Sequence, residues 1–92
     1  MKRTYNIIFY DNSWIIILTV KKKFLFWNIT YTYKVREMSI HTVVGVLKES
    51  IVENLIRFSS MSDAQTFYRN NYYLINDKGI YTGQTYNNPN II

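Results

Sequence analysis

The sequence predicts an α+β domain. It is expected to hold a small antiparallel sheet, made of a three-stranded N-terminal meander and a short C-terminal hairpin, packed on one long and one short helix. Three observations predict this. Residues Leu25 to Arg36 alternate strictly between bulky and polar side chains, the period of a strand. Ile40, Val44, Leu47, Ile51, Leu55 and Phe58 then recur every three or four residues, the stripe of an amphipathic helix. Turn-forming clusters, Asp11-Asn12-Ser13 and Asn76-Asp77-Lys78-Gly79, separate runs rich in strand formers.

The first strand is "TYNIIFY", Thr4 to Tyr10, closed by the Asp11-Asn12-Ser13 turn. The second is "WIIILTV", Trp14 to Val20, apolar on both faces as a strand covered on both sides would be. Three lysines, Lys21 to Lys23, follow where a turn would place them in water. In the third strand Leu25, Trp27, Ile29, Tyr31, Tyr33 and Val35 share one face, while Phe26, Asn28, Thr30, Thr32, Lys34 and Arg36 share the other. The rings that stand with Ile29 and Val35 are therefore expected in the core, with Trp27 and Ile29 against a helix bearing Leu47, Ile51 and Leu55. Phe24 and Phe26 lean towards the lysines and have no such place.

The long helix is expected to begin late, near Val46, because Gly45 and the β-branched run Thr42-Val43-Val44 disfavour its first turns. Glu53 and Arg57 would form a favourable pair four residues apart on it. Ser62, Asp63 and Gln65 suggest a capped N-terminus for a short helix running to about Asn70. "YYLI", the Asn76–Gly79 turn and "IYTG" read as the final hairpin. The whole chain, 1–92, is expected to form one domain, with the polar, proline-containing segment 84–92 as a poorly ordered tail.

Charge is placed unevenly. In residues 1–36 seven basic residues face Asp11 alone, a balance of 7 − 1 = +6, whereas residues 37–92 hold four basic and five acidic residues, a balance of 4 − 5 = −1. A positive N-terminal third favours polyanions or acidic protein surfaces, although lysines at turns and strand ends also keep sheet edges soluble and unpaired.

Catalytic chemistry finds little support. With no cysteine, thiol nucleophiles, disulfides and thiolate metal sites are excluded, and a single histidine, His41, excludes a multi-histidine metal site. "GVLKES" lacks the glycine spacing and lysine–hydroxyl ending of a phosphate-binding loop. The six carboxylates are scattered over turns and faces, and "NIT" at Asn28 matches a glycosylation sequon in what reads as a strand. No enzyme activity, cofactor or metal is expected. The longest apolar run, Trp14 to Val20, is too short to span a bilayer, so the chain is read as mature, cytoplasmic and without a membrane partner.

Binding is what remains. Nine tyrosines, five phenylalanines and two tryptophans are many for 92 residues, and Tyr68, Tyr72, Tyr73, Tyr81 and Tyr86 exceed what the short elements of the C-terminal third can bury. Exposed tyrosine beside Arg69 is the composition of an interface anchor. The candidate partner-binding residues are Lys21, Lys22, Lys23, Phe24, Phe26, Lys34 and Arg36, with Tyr72 and Tyr73 as a second group. A homodimer could bury the same patch. The leading expectation is a stoichiometric, non-enzymatic binder of a protein or ribonucleoprotein partner. Asn, Ile, Lys and Tyr make up 39 of 92 residues, as A/T-rich coding would give. Short chains of that kind are common in phages and mobile elements, whose inhibitors of host defence include the anti-CRISPR proteins. The alternative is direct binding of single-stranded nucleic acid by the basic, aromatic sheet.

Overall fold

A computed structural model of the chain describes residues 1–43 and 48–83. The expected tail 84–92 lies outside the described residues, as do Val44, Gly45, Val46 and Leu47. In chain order the elements are β1 (Lys2–Tyr10), β2 (Ser13–Phe24), β3 (Trp27–Lys34), β4 (Arg36–Val43), β5 (Lys48–Leu55), α1 (Met61–Asn71), a 3-10 turn (Tyr72–Leu74) and β6 (Ile80–Tyr81). They form a small α+β fold with two three-stranded sheets, ordered β1-β2-β3 and β5-β4-β6.

The N-terminal meander is antiparallel throughout, with Leu18 opposite both Tyr5 and Tyr33. Its first turn is built from residues suited to it. Asp11 and Asn12 both adopt positive φ, 50° and 63°, which matches the right-handed twist of a two-residue hairpin at little cost for short polar side chains. Arg57 holds this turn, its Nη2 lying 3.0 Å from the Asp11 carboxylate and its Nη1 donating to the Asp11 carbonyl.

The core lies between one face of this sheet and α1. Ile16, Leu18 and Val20 of β2 are fully buried against Val35, Ala64, Ile75 and Tyr81. Phe58, Phe67 and Tyr81 follow with ring centroids 5.2 and 5.0 Å apart. The helix starts at Ser60, whose hydroxyl accepts a hydrogen bond from the Asp63 amide, so the expected cap at Ser62 sits two residues too late. Asp63 still lies in the first turn, where the helix dipole favours it.

The expected long helix is replaced by the β4–β5 hairpin. The spacing of Ile40, Ile51, Leu55 and Phe58 coincides with a helical stripe, but the residues between them decide otherwise. Ile40, Thr42, Val43, Ile51 and Val52 are β-branched and suit a pleated surface better than a helix. The hairpin is also locked at its base: the Val35 amide donates to the Ile16 carbonyl, the Ile56 amide to Val35, and Trp14 and Phe58 exchange backbone hydrogen bonds. Glu53 and Arg57 are consequently not partners. Glu53 takes Arg36 across the strands, Oε2 to Nη1 at 2.6 Å, and Arg57 takes Asp11.

The C-terminal hairpin exists in reduced form. Tyr72, Tyr73 and Leu74 make a 3-10 turn rather than a strand, and only Ile75 and Tyr81 pair across the Asn76–Gly79 turn. Gly79, at φ 77°, lies so close to β3 that an added Cβ would sit 2.8 Å from the Tyr33 Cβ. That approach lets β6 add in parallel to the start of β4.

Candidate partner-binding surface

The site follows from a mismatch of lengths. A twelve-residue strand such as β2 spans roughly 40 Å, whereas the eleven residues of α1 span only about 16 Å. The helix covers the sheet as far as Val20, and beyond that the β2–β3 hairpin projects uncovered. Antiparallel pairing sets Phe24 opposite Trp27, Lys22 opposite Ile29 and Val20 opposite Tyr31. Directly opposed residues share a face, so Phe24, Trp27, Ile29 and Tyr31 continue the apolar face of the core into solvent. This corrects the sequence reading in two respects. Trp27, Ile29 and Tyr31 do occupy the face of Tyr33 and Val35, but they are exposed because no helix among the described residues reaches them, and Phe24 stands on that face rather than with the lysines.

At the tip, Phe24 is 58%, Leu25 67%, Phe26 94% and Trp27 64% exposed. Four consecutive large apolar side chains in water are an unusual way to turn a hairpin. The backbone is unusual too, because Leu25 takes φ 56°, a region where a leucine costs of order 1–2 kcal/mol. The Asp11-Asn12 turn shows what the same chain does when only a turn is needed.

The other face of the hairpin is basic. Lys21, Lys23 and Lys34 point to it, together with Lys2, which pairs directly with Lys21. Like charges placed opposite one another weaken a sheet. No ion pair among the described residues engages Lys21, Lys22 or Lys23, and the only carboxylate within the meander, Asp11, is taken by Arg57. Lys22 belongs to the aromatic face, its ammonium 5.8 Å from the Tyr31 ring centroid.

The structure thus gathers Lys21, Lys22, Lys23, Phe24 and Phe26 at one end of the hairpin and adds Leu25, Trp27, Ile29 and Tyr31 to them. Lys34 stands at the far end of β3, roughly 23 Å from Trp27 at strand rise, with its ammonium 4.8 Å from the Tyr10 ring centroid. Arg36 is committed to Glu53 and to the Lys78 carbonyl. Tyr72 and Tyr73 lie elsewhere, at the end of a chain of rings that leaves the sheet as Tyr5, Tyr68, Tyr72, Tyr73. No ring contact among the described residues joins that chain to the hairpin tip. Within it, desolvation raises the Tyr5 hydroxyl above its ordinary pKa of 10.0, opposed by Arg3 and reinforced by Tyr68 and Asp77. Arg3 is itself fixed, donating to the Ile75 carbonyl at 2.6 Å.

Among the described residues no three His, Asp or Glu side chains converge on a common point, and no helix is long and apolar enough to cross a membrane. The chain matches no protein-family model, no curated protein and no solved structure.

Proposed function

We propose that this chain is a cytoplasmic, non-enzymatic binding protein that seats the end of its β2–β3 hairpin on a protein or ribonucleoprotein partner. One observation carries the reading. The hairpin turns through exposed Phe24, Leu25, Phe26 and Trp27 with Leu25 at positive φ, an arrangement that costs stability and leaves interface-type side chains unburied. Aromatic side chains contribute to affinity where a partner desolvates them, and Lys21 to Lys23 accelerate encounter with an acidic surface. A stoichiometric inhibitor that occludes a larger partner, of the kind phages direct at host defence, would use such a tip. In a pull-down with and without nuclease, a tagged wild-type protein should retain a stoichiometric partner that Phe26→Ala releases, with affinity lowered by roughly 2 kcal/mol or more. The melting temperature should be unchanged, because Phe26 is almost fully in water. Equal retention by both proteins would exclude the tip as anchor.

Single-stranded nucleic acid is the second reading. It is favoured by the exposure of Trp27 and Tyr31 beside the lysines, which frees those rings to stack on bases. Loss of the captured partner on nuclease treatment alone would select it.

A further inference from the structure

The hairpin also presents a row of backbone groups along its outer strand. β3 is an edge strand of the sheet. The hydrogen bond from the Val35 amide to the Ile16 carbonyl fixes the parity of the β2–β3 ladder. The amides and carbonyls of Trp27, Ile29, Tyr31 and Tyr33 point to β2, while those of Asn28, Thr30 and Thr32 point away from it, towards a side on which no strand lies among the described residues. Natural edges of this kind are blunted by charge, proline or a bulge. From Trp27 to Tyr33 this one has no charged residue and no proline, its pairing to β2 is continuous, and its threonines and tyrosines are strong strand formers.

We propose that β3 accepts an extended segment of a protein partner as an added strand, and that this segment alternates acidic and apolar side chains. Alternation follows from the two faces of the hairpin. Every second side chain of an added strand would lie beside Trp27, Ile29 and Tyr31, and the others on the face of Lys21, Lys23 and Lys34. The lysines select against a second copy of this chain, which would bring its own net charge of +5 to the same edge. Strand addition of this kind draws affinity from main-chain hydrogen bonds and specificity from alternate side chains. The inference rests on the binding reading above but uses different atoms: the tip can anchor a partner without the edge, and the edge can bind without Phe26.

The probe is a synthetic peptide of alternating glutamate and valine, titrated into the full chain and followed by Trp fluorescence and amide hydrogen exchange. The peptide should protect the amides of Asn28, Thr30 and Thr32, leaving the already paired Ile29 and Tyr31 little changed. Thr30→Pro, which removes an outward amide that no intramolecular bond uses and which an edge strand tolerates, should weaken binding by at least about tenfold, whereas Thr30→Ala should change it less than about threefold. A peptide N-methylated at alternate residues should fail to bind the unmodified protein, a result independent of whether Thr30→Pro folds. Binding that survives both N-methylation and Thr30→Pro would overturn strand addition, even with Phe26→Ala still releasing the partner. Protection of Thr30 in the free protein, together with a dimer that Thr30→Pro dissociates, would overturn it in favour of a second copy. Protection produced by oligothymidylate but not by the peptide would overturn it in favour of nucleic acid.

Discussion

Leu25 concentrates the tension between stability and binding in one residue. A β-hairpin with a two-residue turn prefers glycine where the first turn residue needs positive φ. The chain meets that requirement with short polar residues at Asp11-Asn12, yet places leucine at φ 56° between two phenylalanines. Leu25→Gly removes the steric cost and one exposed apolar side chain together. It should raise stability by about 1 kcal/mol, a shift of roughly 4–8 °C in a domain of this size, while weakening capture of the partner. Thermal unfolding and the pull-down measured on the same variant separate the two effects. A variant less stable than wild type would mean that Leu25 packs rather than strains. Stability gained at the expense of binding is the trade expected where a site holds a strained conformation.

At the scale of elements, the β2–β3 hairpin is one ladder with two environments. Leu18 is fully buried, whereas Trp27, on the same face further out, is mostly in water. Leu18→Ala should therefore cost about 2–5 kcal/mol, and Trp27→Ala less than about 1 kcal/mol despite removing a larger side chain. Chemical denaturation of the two variants checks the ordering, and a reversal would place a cover over the hairpin end. The same contrast explains what could be read from the sequence. The meander was legible because period two held from Leu25 to Arg36 and because Asp11-Asn12 announced its turn. The faces were legible as well, but their burial was not, since alternation reports which residues share a side and not what lies against it. The switch from Ile-Leu-Val to Lys-Lys-Lys at position 21, set against the short reach of the Ser60-capped helix, was the available signal. The β4–β5 hairpin was illegible for a different reason. One of its faces mixes Met38, Ile51 and Leu55 with Arg36 and Glu53, so no clean alternation opposed the accidental spacing of Ile40, Ile51, Leu55 and Phe58. What fixes these strands is non-local: Val35 under the core, Phe58 on Trp14 and β6 beside Arg36.

Over the whole molecule, fold and charge divide the labour unequally. Three of the four arginines serve the structure, with Arg3 tying β1 to Ile75, Arg36 tying β4 to β5, and Arg57 closing the first turn. No ion pair among the described residues engages the lysines of the meander, and they set how the molecule meets a polyanion. If nucleic acid were the partner, each phosphate neutralised would release a counterion, and log affinity would fall with log salt by about 0.7 per contact on a single strand. Replacing Lys21, Lys22 and Lys23 by glutamine would then flatten that slope by about 2. A protein partner held by Phe24, Phe26 and the β3 edge depends on burial and main-chain pairing, which salt screens little, so the same replacement should slow association while leaving dissociation nearly unchanged. Binding to mixed-sequence oligonucleotides is accordingly expected to be weak and lost near physiological salt. Tight oligonucleotide binding that persists there, with a slope that the triple variant flattens, would make the lysine face the principal site and the apolar tip a stacking platform for bases.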